Sequence, residues 1–239
     1  MRLNRLTWPE CRDAVARETR LIVPVGTCEQ HGKHLPLDTD TRIVEHVAEW
    51  LSEETGVLVA PTVSYGVNLP CDRFFSGTAS VTPEALTAYA GSLLSWWRLQ
   101  GFTAFALLSA HGDPVHLDCL RACGSDDVHL LEVWDVEIAD LLEAQTACGH
   151  ACEAETSVML HLYPEVVRTA AIEDFQSPWE EFKPYLLHQK TEPLQGSPGN
   201  QGFPSRATTE KGAAILRRMQ TRALDWLLCL GTGEGAVRE

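Results

Sequence analysis

The chain has 239 residues, 44% of them hydrophobic, and a formal net charge of −14 at pH 7. This length and composition suit one α/β domain or two small ones, and nothing in the sequence marks a boundary between two. The acidic residues are spread along the chain, which argues against nucleic acid or an anionic membrane as a partner, because phosphate binding needs clustered Lys and Arg.

The N-terminal sequence gives no sign of export. The first ten residues, MRLNRLTWPE, lack the apolar segment of a secretory signal. No window approaches the roughly 20 apolar residues that a membrane span needs. We therefore expect a cytoplasmic protein.

Apolar runs and helical periodicity alternate along the chain. Residues 7–18 predict a helix that is followed by a strand at 21–25, and the polar stretch after this strand leads into a second helix. In chain order the predicted elements are helix 7–18, strand 21–25, helix 40–56, strand 57–60 (which 62–65 could extend), helix 82–100, strand 102–108, helix 115–123, strand 129–133, and helices 135–145, 155–162 and 208–230, the last ended by Gly231. Residues 175–205 contain five Pro and three Gly and predict mostly irregular structure. Alternating strands and helices predict a mostly parallel sheet covered on both faces.

Residues that could bind a metal fall into three clusters, two of which directly follow predicted strands. In chain order they are Glu29, His31, Asp40, His111, Asp113, His150, Glu153 and Glu155. Parallel strands could deliver them to one edge of the sheet, where ligands bind in open α/β folds. Histidine nitrogen with carboxylate oxygen is the ligand mix of Zn, Mn or Fe in hydrolytic sites. Four or five such ligands with a bridging carboxylate would suit two metals about 3.5–4 Å apart.

Each of these residues alone has a simpler interpretation. Asp40 could be the N-cap of the next helix. Glu155 could be a first-turn carboxylate that the helix dipole favours, and Glu153 an exposed carboxylate at the same helix start. A single histidine after a strand is usually a structural polar residue. The metal hypothesis therefore depends on the combination of residues.

Eight cysteines include two pairs at i, i+4 spacing, Cys119/Cys123 and Cys148/Cys152. On a helix this spacing places two thiols on one face. One interpretation is a structural zinc site built from all four. The interpretation we favour is buried reduced thiols, because C-x3-C pairs on helices are not the usual zinc-knuckle spacing.

Several motifs carry a resemblance to a known family. Residues 29–41, EQHGKHLPLDTDT, closely resemble the opening motif of the creatininase family, E-Q-H-G-P-H-L-P-L-x-T-D. SAHGDP, GHACEAETSVMLHLYPE and QGFPSRATTEKG are similar to later motifs of that family, as are Tyr65-Gly66 and FFSGTASV. The matches keep the family order from about Pro24 to Gly212.

The resemblance implies a single domain over residues 1–239, with the fold of a three-layer α/β/α sandwich. It also implies a metal-dependent hydrolase that cleaves an amide-type C–N bond with water activated by two divalent metal ions, Zn, Mn or Fe. By position, the residues that match the metal ligands are Glu29, His31, Asp40, His111 and Glu155, with Asp40 as the bridging carboxylate. Asp113 matches a position that supplies a metal-binding Glu in creatininase itself, so Asp113 and Glu155 compete as the last ligand.

The resemblance also suggests catalytic and substrate-binding residues. His150 matches a histidine near the substrate and could carry a proton to the leaving nitrogen, and Glu153 is a further acid/base candidate. Lys33 replaces the usual Pro, and Asp72 stands where many members have His; both are candidate substrate-binding residues. Cys152 replaces the usual Gly. These departures surround the metal positions and leave the substrate open.

Family members act on creatinine, on formylamino-pyrimidine nucleotides, or on the C-terminus of a modified peptide, as in mycofactocin maturation. We therefore expect a small-molecule amide or a peptide-like substrate, and creatinine is disfavoured because neither Trp134 nor Trp179 can be placed over a ligand. The alternatives are a non-catalytic metal-binding homologue and a scaffold without metal. Family analogy also suggests a homo-oligomer, such as a hexamer.

Overall fold

The structure, a computed structural model, describes residues 1–230 and contains a four-stranded parallel sheet. The strands are β1 Arg20–Val25, β2 Leu58–Val59, β3 Ala104–Ser109 and β4 Val128–Glu132, in the order β2-β1-β3-β4. The predicted strands are confirmed, although β2 is only two residues long. The predicted helix end at Gly231 lies outside the described residues, and the single domain over residues 1–239 stays a prediction.

Seven α-helices lie within residues 1–230. They are α1 Trp8–Val15, α2 Thr39–Thr55, α3 Pro83–Leu99, α4 Pro114–Ala122, α5 Glu153–Leu162, α6 Trp179–Leu186 and α7 Thr209–Cys229. Short 3-10 turns occur at Leu3–Arg5, Pro70–Phe74, Pro164–Val166, Thr169–Ala171 and Pro204–Arg206. None of the helices in this part of the chain is long and apolar enough to cross a membrane.

The side chains of β1 divide the core into two halves. Ile22 packs into a cluster formed with α2, α5 and α7, whereas Leu21 and Val23 pack into a second cluster with α1, α3 and α4. Alternate residues of a strand point to opposite faces, and both faces are buried here. This explains why the strands read as continuous apolar runs, and it confirms the three-layer α/β/α sandwich.

The predicted helix at 135–145 does not form. Ile138 is buried in the core, but the segment consists of turns. The backbone N–H groups of Glu143 and Ala144 donate to the carboxylate of Glu153 instead of to carbonyls of their own segment. The buried Glu153 carboxylate thus replaces the hydrogen bonds that a helix would have made.

Helix α6 forms in the segment predicted to be irregular. Pro178 is its N-cap residue, and Glu180 and Glu181 occupy the first turn, where the helix dipole favours negative charge. Pro184 lies inside the helix and lacks the N–H that would bond to residue 180. A short helix tolerates this loss because few of its hydrogen bonds are affected.

The close contact of α5 with α7 depends on Gly212. A Cβ atom at this position would lie 1.9 Å from the backbone oxygen of Ser157. The absence of a side chain lets the two helices approach, and this packing fixes the start of α5, where Glu155 lies.

Candidate metal centre

The candidate metal centre lies at the carboxyl ends of β1 and β3. Glu29 and His31 follow β1 and His111 follows β3, so the parallel pairing of these strands brings the three side chains to one edge. Asp40 and Glu155 reach this edge from the first turns of α2 and α5. All five side chains are buried. The structure therefore brings together five of the six residues predicted as ligands.

His31 and His111 each direct one ring nitrogen at a carboxylate of the cluster and the other at a backbone oxygen. The Nδ1 atom of His31 lies 3.0 Å from the backbone oxygen of Glu29, and the Nε2 atom of His111 lies 2.9 Å from that of Val67. A carbonyl oxygen can only accept a hydrogen bond, so both nitrogens donate. The other nitrogen of each neutral ring then carries a lone pair, as a metal ligand requires.

Asp40 lies between two groups of candidate ligands. Its Oδ1 atom is 3.2 Å from His31 Nε2, and its Oδ2 atom is 3.4 Å from His111 Nδ1. Glu29, Asp40 and His111 form one group whose ligand atoms lie within 4.8 Å of one another, and His31, Asp40 and Glu155 form the other. This is the geometry expected of a carboxylate that bridges two metals.

The charges and unpaired atoms of the cluster fit divalent cations. Among the residues that the structure describes, the buried Oε2 atom of Glu29 has no hydrogen-bond partner, although His111 Nδ1 lies 3.0 Å away. Burial lowers the pKa of His31, but the nearby Asp40 carboxylate outweighs it and raises that pKa to about 10. The cluster therefore favours positive charge at its centre. Its oxygen and nitrogen donors suit Zn, Mn or Fe.

Asp113 lies apart from this cluster. Its Oδ1 atom caps α4 by accepting from the backbone N–H of Val115 at 2.7 Å and of His116 at 3.2 Å. Its Oδ2 atom lies 2.7 Å from Nε2 of His188. Both oxygens thus have partners elsewhere, so the structure favours Glu155 over Asp113 as the fifth candidate ligand.

His150 lies beside the cluster and lines a cavity that opens above it. Its Nε2 atom lies 2.8 Å from the backbone oxygen of Gln30, to which it must donate, so Nδ1 is the free nitrogen of the neutral ring. Its ring centroid is 4.6 Å from that of His31. Burial lowers the pKa of His150, which favours the neutral ring that can accept a proton.

Gln30 is a site residue to which the sequence analysis gave no role. Its side-chain nitrogen donates to the backbone oxygen of Gly199 at 2.7 Å and to Asp72 at 3.2 Å, while its oxygen accepts from the N–H of Gly32 at 3.0 Å. Gln30 thereby connects the loop after β1 to the segment that closes the cavity. The position of Gln30 between Glu29 and His31 in the opening motif is the sequence feature that could have indicated this role.

Asp72 lies where a substrate-binding residue is expected. It is buried, lines the cavity and has one oxygen without a hydrogen-bond partner among residues 1–230. Burial raises the pKa of Asp72, and the negative charge of Glu29 adds to this, to about 8. Asp72 is therefore a carboxyl group that can hold a proton at neutral pH.

Lys33 and Glu153 do not lie at the cavity. Lys33 is exposed and forms an ion pair with Glu173. Glu153 is fully buried, not exposed as its sequence position suggested, and its carboxylate accepts from Nζ of Lys211 at 2.6 Å and from the N–H of Glu143. The ion pair holds α7 against α5, so the structure gives Glu153 a structural role.

A cavity of about 660 Å³ opens above the cluster. Glu29, Asp40, His111, His150 and Glu155 form part of its polar lining. Its wall is largely apolar and includes Leu69, Phe75, Trp134, Trp179, Phe182 and Tyr185. The structure therefore places both tryptophans that the sequence could not place, and α6 supplies one side of the wall. An apolar cavity with a few convergent polar groups is typical of a small-ligand or peptide site.

Comparisons with known proteins define the class of this site. The family model described as "Creatininase: Creatinine amidohydrolase" matches residues 4–227. A mycofactocin precursor peptide peptidase of Mycobacterium ulcerans is 31% identical over 230 residues, covering 89% of this chain and 82% of its own. A creatinine amidohydrolase of Pseudomonas putida is 29% identical over 238 residues, covering 90% and 91%.

Solved structures agree with the sequence comparisons. A structure described as "Creatininase Mn" is 26% identical, with a TM-score of 0.76 over 95% of this chain and 96% of that one. A "Zn-Zn type" mutant creatininase is 25% identical, with a TM-score of 0.77 over the same shares. The fold and the site thus define a hydrolase of amide-type C–N bonds. The chain belongs to the creatininase family.

Proposed function

We propose that the chain is a metal-dependent amidohydrolase that holds two divalent cations, Zn, Mn or Fe. Glu29 and His111 would hold one cation, His31 and Glu155 would hold the other, and Asp40 would bridge them. The observation that carries this proposal is the position of Asp40, with one carboxylate oxygen directed at each histidine. Solved relatives described with Mn and with Zn-Zn support the choice of metals.

The residues around the proposed metal centre have different roles in amide hydrolysis. Cations held there would lower the pKa of a bound water and polarise the scissile carbonyl. The free Nδ1 of His150 can take up a proton and return it to the leaving nitrogen. Asp72 lies in the same cavity with one carboxyl oxygen unpaired among residues 1–230, so it can form a hydrogen bond with a polar group of the substrate. The apolar wall excludes water around the bond.

The cavity favours a peptide-like substrate over creatinine. A volume of about 660 Å³ lies within the range of sites for drug-sized ligands, about 300–1,000 Å³, and a single small ring would leave much of it empty. The aromatic side chains of α6 add apolar surface for side chains of a peptide. A relative named a peptidase is consistent with this substrate class.

Hydrolysis assays on metal-loaded protein test the proposed function. We expect release of product from a panel of short peptides with apolar C-terminal residues, faster than from creatinine. Asp40→Asn should lower kcat/KM by more than about 100-fold, because changes merely around a metal ligand already cost 10–100-fold. Asp38→Asn is the matched control, since Asp38 lies in the same motif but pairs with Arg42 at 2.7 Å.

The assays also separate the alternatives. Metal binding without turnover of any amide in the panel would contradict the proposed enzyme and favour a non-catalytic metal-binding homologue. A hydrolysis rate that Asp40→Asn leaves unchanged would contradict the role given to this carboxylate. Faster turnover of creatinine than of the peptides would contradict the substrate class alone.

We further propose a cytoplasmic homo-oligomer, such as a hexamer. Tyr89, Trp96 and Leu99 of α3 are 55%, 67% and 81% exposed. They recur at intervals of seven and three residues, so they lie close to one face of the helix. Exposed apolar side chains in such a row suit an interface between copies of the chain. Sedimentation of the purified protein as a monomer would contradict this assembly.

A further inference from the structure

Cys148 and Cys152 lie beside the candidate metal centre. Cys148 lines the same cavity as four of the five candidate ligands, Glu29, Asp40, His111 and Glu155, and Cys152 is the buried N-cap residue of α5. The pair Cys119/Cys123 has the same spacing but lies in the core on the opposite face of the sheet. A zinc site built from all four cysteines is therefore excluded, and the two pairs have different surroundings.

The two thiols lie within hydrogen-bonding distance of each other, and the same separation is that of two sulfur ligands on one metal. Cys148 Sγ and Cys152 Sγ are 3.8 Å apart. Two thiolates bound to a tetrahedral zinc at about 2.3 Å lie about 3.8 Å from each other. A disulfide needs about 2.0 Å, so the sulfurs would have to approach by well over an ångström to form one. The geometry therefore fits a metal better than a disulfide.

Glu155 supplies a third ligand atom at this position. An oxygen of its carboxylate and both sulfurs lie within 4.8 Å of one another. The backbone N–H of Ala151 donates to Glu155 Oε2, and a positive φ of 47° at Ala151 turns the chain between the two cysteines. Cys148 and Glu155 both line the cavity, so a cation in solution could reach these three residues from there.

We propose that Cys148, Cys152 and Glu155 form an additional site, which shares Glu155 with the two-metal centre, for a thiophilic divalent cation such as zinc or cadmium. Binding converts both thiols to thiolates and releases two protons, so no oxidant is required. Glu155 is also a ligand of the proposed two-metal centre, so occupation of the thiolate site competes for this carboxylate and slows hydrolysis. That regulatory consequence rests on the proposed function, whereas cation binding does not.

Cadmium titration of the full chain, stripped of metal with a chelator, tests the site. Cadmium bound to sulfur absorbs in the ultraviolet, and the histidine and carboxylate ligands of the two-metal centre cannot produce this band. We expect the band to saturate with one thiolate-bound cation. Cys148→Ser, Cys152→Ser and Glu155→Gln should each weaken binding by more than about tenfold. Cys71→Ser is the matched control, because this thiol lines the same cavity.

Alkylation of the wild-type protein tests the site without relying on altered chains that might not fold. Cadmium should slow alkylation of Cys148 several-fold and leave Cys71 unaffected, as read by mass spectrometry of the peptides. Three results would overturn the proposal. These are equal protection of Cys148 and Cys71, no ultraviolet band, and a band that remains in both Cys148→Ser and Cys152→Ser. His31→Ala should keep the band, so failure of hydrolysis and failure of this site are distinguishable.

Discussion

At the residue scale, Gly199 shows how a single position shapes the site. Its φ of +107° lies in the region that favours glycine, and a Cβ atom there would be 2.1 Å from the side-chain oxygen of Gln30. The Gly199 backbone oxygen accepts from the same side chain. Gly196 also has a positive φ, +75°, but a Cβ atom there would contact nothing. Both positions have a positive φ, but only at Gly199 would a Cβ atom collide with Gln30.

We therefore expect different outcomes from alanine at these two positions. Gly196→Ala should lower the free energy of unfolding by about 1–2 kcal/mol through backbone strain and leave hydrolysis unchanged. Gly199→Ala should add the displacement of Gln30 and lower kcat/KM by about tenfold, as loss of a group supporting metal ligands does. Urea unfolding and steady-state kinetics measure the two effects. Equal kinetics for the two variants would contradict a positioning role for Gln30.

The sequence predicted four of the candidate ligands without an alternative, but it left the fifth undecided. The motifs identified Glu29, His31, Asp40 and His111 because the chemistry depends on residue type and order. They left Asp113 and Glu155 as alternatives, because Asp113 matches a position that supplies a metal-binding Glu in creatininase itself. That choice depends on contacts made by His188, which lies 75 residues away in the chain.

At the element scale, the ion pair between Lys211 and Glu153 joins α7 to α5. Lys211 Nζ lies 2.6 Å from Glu153 Oε1, and the Glu153 side chain is fully buried. The pair between Lys33 and Glu173 is by contrast exposed, at 58% and 54% of the two side chains. Removing the partner of a buried charge lowers the free energy of unfolding much more than removing the partner of an exposed charge.

Lys211→Met should lower the free energy of unfolding by about 3 kcal/mol, because it leaves the Glu153 carboxylate buried without a cation. Lys33→Met should change it by less than about 1 kcal/mol. The double variant Lys211→Met, Glu153→Gln should recover part of the loss. Urea unfolding measures all three, and similar losses for Lys211→Met and Lys33→Met would refute the role of the buried pair.

The two wrong element predictions have the same origin. The sequence predicts a helix over residues 135–145, but the Glu153 carboxylate accepts hydrogen bonds from backbone N–H groups of this segment. The prolines of residues 175–205 correctly indicated many turns, but Trp179, Phe182 and Tyr185 pack along the cavity from a short helix. In both segments, contacts with distant residues decide the backbone hydrogen bonding.

At the scale of the whole molecule, two buried histidines make stability depend on pH. Burial lowers the pKa of His34 to about 4 and that of His116 to about 3, from an ordinary value of 6.5. In the unfolded chain both rings take up protons below about pH 6.5. At these two rings the folded state then binds fewer protons than the unfolded state, so their contribution to stability is lost in acid.

The contribution of these two rings to the free energy of unfolding of chelator-treated protein should therefore fall as the pH drops from about 6.5 toward 4, whereas Asp72, whose pKa is raised to about 8 by burial, contributes with the opposite sign. In His34→Gln this fall should be shallower than in the wild type, because one of the two titrating rings is gone. Urea unfolding at a series of pH values measures both slopes. Identical slopes in the two proteins would show that His34 does not contribute.

The central claim is that one chain assembles a two-metal centre around Asp40. Elemental analysis of protein purified without chelator tests it most directly, on the wild type and on the double variant His31→Ala, Asp40→Ala. We predict about two equivalents of Zn, Mn or Fe per wild-type chain and their loss in the double variant. One equivalent, or no metal even after reconstitution, would contradict the two-metal centre.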